Sequence, residues 1–195
     1  MKRRPVSATL ATLLLVGTMP GQGDSQEVRR TVLEFVPETV ASWFVVNDGV
    51  MGGVSSSRLR HLEGDVAVFE GELSLDNNGG FASIRTGVPE GALAGAASVL
   101  LRVRGDGKRY QFRLRQDGNW DGVAYAAAFE TIPGEWATVE IPLTVFQPTF
   151  RGFRPRNVRP LDPERVRQLG LMLTDKQVGG FRLEISAIGV ALTPH

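Results

Sequence analysis

Cysteine is absent from all 195 residues, which removes thiol nucleophiles, cysteine–zinc sites, disulfide staples and lipid attachment through sulfur. Histidine is almost absent: His61 and His195 are the whole supply. A three-histidine zinc site cannot be built from two residues, and a serine triad would depend on His61, which sits in an alternating run beside Arg60 and reads as a strand-edge histidine. Lysine is as scarce, with Lys108 and Lys176 the only ones after Lys2. The formal charge is +1, and without Lys2, Arg3 and Arg4 it is −2, so nothing favours nucleic acid. Arginine far outnumbers lysine, which favours planar hydrogen bonding and stacking over diffuse positive charge.

Long apolar runs are missing too. The longest, Val6 to Val16, falls short of the roughly 20 residues that a membrane-spanning helix needs. Preceded by Lys2-Arg3-Arg4 and followed by small residues at Gly21 to Gly23, it reads as a secretory leader or an uncleaved N-terminal anchor over residues 1–23. That reading predicts a periplasmic or secreted protein. Residues 24–195 then form one domain with enough chain to bury a core without disulfides.

What is present is strand after strand. Tyr110, Phe112 and Leu114 alternate with Gln111, Arg113 and Arg115, which predicts a strand with one buried and one wet face. Val99, Leu101 and Val103 alternate with Arg102 and Arg104, and Phe181, Leu183 and Ile185 with Arg182 and Glu184. Residues 31–36, 66–70, 81–86, 123–130, 136–141 and 170–174 are further strand candidates, and 56–62 alternate in the same way. One short helix is expected, after Asp162-Pro163-Glu164, where an N-cap, an N1 proline and an early acid precede Arg165 to Leu169. Pro148, Pro155 and Pro160 make 146–160 a long ordered loop. Short strands separated by Gly, Pro, Asn and Asp predict an all-β antiparallel sandwich.

The densest motif is Asn47-Asp48-Gly49-Val50-Met51-Gly52-Gly53-Val54-Ser55, four residues after Trp43. Its glycines permit positive φ and close backbone approach, and suggest exposed amides. It matches neither GxxxxGK[ST] nor GxGxxG, so no nucleotide is expected. Asp76-Asn77-Asn78 and Asp117-Gly118-Asn119 offer oxygen ligands, but between strands they read as Asx turns, and no metal or other cofactor is expected. Asp48, Asp106, Asp121 and Asp175 sit in turn-like settings with no sign of a paired-carboxylate catalyst. No enzymatic activity is expected.

Trp43 with the 47–55 motif resembles the complex I intermediate-associated protein 30 family. The resemblance continues through Asn78-Gly79-Gly80-Phe81-Ala82-Ser83, Arg104-Gly105-Asp106-Gly107, Tyr110, Trp136, Phe150-Arg151-Gly152 and Asp175-Lys176-Gln177 with Phe181, in the family's order and at similar spacing. It covers nearly all of the chain after the leader. It implies a galactose-binding-like jelly roll, and a chaperone-like, non-enzymatic assembly role whose partner is a protein such as an inner-membrane or respiratory complex subunit. The jelly roll also suggests an alternative, a carbohydrate-binding module acting on envelope or extracellular glycans. The candidate binding residues are Trp43, Asn47, Asp48, Met51, Gly52, Asn78, Arg104, Asp106, Tyr110, Trp120, Asp175, Lys176 and Gln177. The alternative requires Trp43, Trp120 or Tyr110 to be exposed beside Asn47, Asp48 or Asp175. Trp136, in an alternating run, is expected in the core.

Overall fold

The computed structural model describes residues 29–193. The leader assigned to 1–23 lies outside the described residues, as does His195. Twelve strands run in chain order: β1 (Arg29–Glu34), β2 (Phe44–Asn47), β3 (Ser56–Leu62), β4 (Val66–Leu73), β5 (Ala82–Gly87), β6 (Ala96–Arg104), β7 (Arg109–Arg115), β8 (Ala124–Glu130), β9 (Trp136–Pro142), β10 (Gln147–Thr149), β11 (Gln168–Leu173) and β12 (Gly179–Leu192). They form two six-stranded sheets. The first has the order β3-β4-β12-β6-β9, with β1 also pairing β12; the second is β10-β8-β7-β11-β5-β2. Every pairing between these strands is antiparallel.

Strict alternation decides which side chains enter the space between the sheets. Tyr110, Phe112 and Leu114 of β7 are fully buried, as are Leu169, Leu171 and Leu173 of β11 and Leu183 and Ile185 of β12. Aromatic pairs pack within this core: Phe69 of β4 meets Phe181 of the adjacent β12 edge-on at 5.0 Å, and Phe35 stacks on Trp43 at 5.7 Å. The antiparallel sandwich expected from the alternating runs, and the jelly roll that the family resemblance implies, are the observed architecture.

Two local expectations change. The helix predicted after Asp162 is a single 3-10 turn, Pro163–Arg165. Asp162 caps it through an acceptor bond from the Glu164 amide, but Gln168 and its neighbours are drawn into β11, whose pairing on both sides outweighs a helix of two turns. The one α-helix among the described residues is Pro37–Ala41, with proline at its start. It is too short for a 3.6-residue pattern to show. The 146–160 segment is not wholly loop either, because Gln147–Thr149 pairs with β8.

Candidate functional site

The 47–55 motif closes on itself. Asp48 begins a 3-10 turn (Asp48–Met51) and is fully buried. Its Oδ1 accepts the Ser55 amide at 3.0 Å. Its Oδ2 accepts the Ser55 hydroxyl, the Gly80 amide at 2.7 Å and the Phe81 amide at 3.3 Å. Burial pushes this carboxyl up, but the Ser55 hydroxyl and the three amides outweigh it and hold the group below its ordinary value. The expectation of exposed glycine amides is corrected at Gly52 and Gly53, whose amides donate to the Gly49 and Asp48 carbonyls at 3.1 Å; the amides that meet the Asp48 carboxylate come from Ser55, Gly80 and Phe81.

The glycines have separable reasons. Gly52 lies at φ 91°, in the left-handed region. A Cβ on Gly53 would stand 2.4 Å from Asp48 Cγ, and one on Gly79 would stand 2.6 Å from Asp48 Oδ2. The Asn-Gly-Gly-Phe segment at 78–81 is thus the second half of the same clamp, with Asn78 exposed at φ 61° beside it. Asn47 is occupied as well, accepting the Ser57 hydroxyl at 2.6 Å.

Asp106 is a second internal carboxylate. It accepts the Lys108 amide at 3.0 Å, the Arg182 amide at 2.9 Å and the Tyr110 hydroxyl at 3.2 Å. Burial, then the adjacent Asp106 charge, drives the Tyr110 hydroxyl far upward from its usual value. Tyr110 and Trp43, at 0% and 7% exposure, are core residues, which removes both from the candidate binding surface. Gln177 is held by the Arg109 backbone, accepting its amide at 2.9 Å and donating to its carbonyl at 2.6 Å. Asp175 and Lys176 stand exposed in a left-handed turn at φ 62° and 59°.

Arg104 is committed to the outer face of the first sheet. It pairs with Glu184 and lies 5.2 Å over the Trp136 ring, with Arg102 at 5.6 Å. Trp136 is therefore half-buried under arginines and not in the core. On the same face Glu70 takes Arg58, Arg60 and Arg182, at 2.7, 2.8 and 2.5 Å, and Glu184 takes Arg182 at 2.9 Å. The Arg60 and Arg58 hydrogen bonds and charges overcome burial and hold the Glu70 carboxyl at about 2.

Two surfaces remain open. The first is the clamped loop, where Val50, Met51 and Val54 are 74%, 62% and 54% exposed. Met51, Asn78, Asp175 and Lys176 all belong to loops at this end of the sandwich. The second lies at the opposite end of the second sheet, where the β7–β8 loop carries Trp120. Its ring meets Phe44 edge-on at 4.2 Å, both rings are partly exposed, and the Trp120 carbonyl accepts Arg85 at 2.9 Å. Asp117 and Asn119 form the expected Asx turns in this loop, accepting the Asn119 and Asp121 amides at 3.2 and 3.0 Å. The exposed tryptophan and the polar residues Asn47, Asp48 and Asp175 are thus separated, not gathered as the glycan alternative required.

The outer face of β7 is not wet throughout. Arg115 is 4% exposed and its Nε is buried without a hydrogen-bond partner. Arg113, with Arg85 on β5, lies on the same face. Burial first, and Arg85 beside it second, push the Arg113 guanidinium down to about 10. Sequence reasoning missed Arg85, Arg113 and Phe44 as a group because alternation assigns a face but not what shelters it.

The family profile described as complex I intermediate-associated protein 30 matches residues 33–185. The chain belongs to that family. Among its members, the mouse mitochondrial protein of that name is 30% identical over 90% of this chain, and the chain spans 60% of its length. The Drosophila melanogaster mitochondrial protein is 23% identical, again over 90% of this chain and 65% of its own. Among solved structures, a family 11 carbohydrate-binding module from Clostridium thermocellum, in complex with a β-1,3-1,4-mixed-linked tetrasaccharide, matches with a TM-score of 0.64 at 15% identity. The match covers 86% of this chain and 98% of the module. An agarase matches at 0.55 and 10% identity, over 86% of this chain and 25% of its own. At such identities these two likenesses establish the fold of the family member and no ligand.

Proposed function

We propose that this chain is a non-enzymatic, chaperone-like domain that binds a protein partner during assembly of a membrane complex, and that it works in the periplasm or outside the cell. Membership of a family whose mouse member is named for a complex I intermediate supports the assembly role. The leader-like residues 1–23 support the location. The observation that carries the partner-binding reading is the loop at Val50, Met51 and Val54. It displays apolar side chains to solvent from a backbone clamped by a buried carboxylate, so little ordering entropy stands against docking. A photo-crosslinker replacing Met51 is expected to capture one particular inner-membrane or respiratory-complex protein in cells. Recovery of abundant background proteins alone, the same as from a crosslinker replacing Arg58, would overturn the reading.

A second reading is favoured by a different observation. The exposed Phe44–Trp120 pair offers ring faces beside Arg85 at the rim of a sheet, an arrangement that suits a sugar. In that reading the domain binds an envelope or extracellular glycan, and Trp120→Ala abolishes retention on it.

A further inference from the structure

Arg109 of β7 meets Glu130 at 3.7 Å, but further along the same face the second sheet treats its arginines differently from the first. On the outer face of the first, Arg58, Arg60, Arg104 and Arg182 each reach Glu70 or Glu184. On the outer face of the second, Arg85, Arg113 and Arg115 form no ion pair with a carboxylate among the described residues. Arg85 donates to the Trp120 carbonyl. Arg113 donates to Gln111 Oε1 at 3.3 Å and touches Met172 Sδ. Asp117 and Asp121 act on Arg115 from the β7–β8 loop, and Asp121 acts on Arg85, without closing on either. Burial, then the neighbouring arginines, push Arg115 down to about 10. Half-desolvated cations held side by side leave the folded chain short of an anion.

Shape follows from register. Phe44, Arg85, Gly170, Arg113 and Ala126 occupy one row across β2, β5, β11, β7 and β8. A Cβ on Gly170 would meet Arg85 Cγ at 3.6 Å and Arg113 Cβ at 3.9 Å, so glycine leaves a trough between the two side chains. From Phe44 to Arg113 the row crosses three strand spacings, roughly 14 Å, longer than a single sugar ring. Gln168 stands across from Arg115, and its Oε1 is buried with no donor.

These features select a ligand chemistry. Guanidinium forks match carboxylate and sulfate oxygens, and the Phe44 and Trp120 rings match the apolar face of a sugar. We propose that this face binds an acidic oligosaccharide, with its carboxylate or sulfate groups on Arg85 and Arg113 and a ring against Phe44 and Trp120. The proposal rests on the glycan reading above and adds the ligand's charge to it; the Met51 loop plays no part in it.

Calorimetric titration of the full chain with oligogalacturonate tests it, with a neutral cello-oligosaccharide, polyglutamate and inorganic phosphate as parallel arms. Saturable binding of the uronate is expected, at least tenfold tighter than any other arm and weakened by salt. Arg113→Gln and, separately, Arg85→Gln are expected to weaken it at least tenfold without lowering the melting temperature, while Arg58→Gln leaves it unchanged. Equal binding of the neutral glucan overturns the proposal while sparing the glycan reading. No binding of any saccharide overturns both, and preference for polyglutamate or for phosphate alone overturns the proposal in favour of an acidic peptide or a simple anion site. If one arginine variant fails to fold, the other decides.

Discussion

The Asp48 carboxylate accepts the Gly80 amide at 2.7 Å across 32 residues of sequence, joining the two most recognisable motifs of the chain into one clamp. Asp48→Asn replaces two acceptor oxygens by one and turns an amide donor toward other donors. A loss of about 2–4 kcal/mol is expected for a buried charged acceptor so treated. That corresponds to a melting temperature lower by roughly 4–16 °C for a domain of this size. Thermal unfolding followed by circular dichroism measures it, and an unchanged midpoint would show that the clamp is ornamental.

Acid should weaken the fold in a defined window. Asp48, Glu70 and Glu184 all have folded-state values held below their unfolded ones, so their contribution is fully present above the unfolded values and is lost as pH falls through the folded ones. For Glu70 that span runs from the ordinary 4.5 down to about 2. Chemical denaturation at a series of pH values is expected to show stability falling across this interval. Glu70→Gln should flatten the slope, because three arginines then lose the charge they share.

Trp43 and Trp120 are expected to respond oppositely to truncation. Trp43→Ala empties a buried ring site stacked on Phe35 and should lower stability by about 3–5 kcal/mol. Trp120→Ala removes a partly exposed ring and should change stability by less than about 1 kcal/mol, while, on the proposed glycan reading, abolishing retention on an oligogalacturonate affinity gel. Equal destabilisation by both would make Trp120 a packing residue.

Met51→Asp places a charge where the side chain is largely solvated, so the melting temperature should stay within a degree or two of the parent. Partner capture in cells should fall at least tenfold. Undiminished capture would move the contact surface away from this loop.

Much of the sandwich was legible because period-2 alternation is a direct record of sheet faces: Tyr110, Phe112 and Leu114 could be placed inward from their spacing alone. The Pro37–Ala41 helix was not legible, since five residues carry no helical period. The candidate site was legible as a set of conspicuous residues but not as a set of roles. Asp48 and Asp106 look like ligand-binding carboxylates in a string of letters, and only the fold shows that the chain's own amides and the Tyr110 hydroxyl satisfy them. Arg113 and Arg115 looked like ordinary outward residues, because a neighbour that shelters them comes from β11 or from the β7–β8 loop, far off in sequence or around a turn. Exposure of a tryptophan is likewise a property of packing, and Trp43, Trp120 and Trp136 came out buried, exposed and covered by arginines in turn.

β12 lies at the middle of its sheet, with β4 and β1 along one side and β6 along the other. A ribosome releases β1, β4 and β6 long before Gly179 emerges, and each of them waits with a free edge until then. The first sheet therefore cannot be completed piecemeal as the chain grows; its closure is a late, long-range event of the kind that folds slowly. During that wait the half-built sheet is open to strand addition by other chains, so the yield of native protein should depend on how well the emerging chain is shielded until its fourteen-residue keystone arrives.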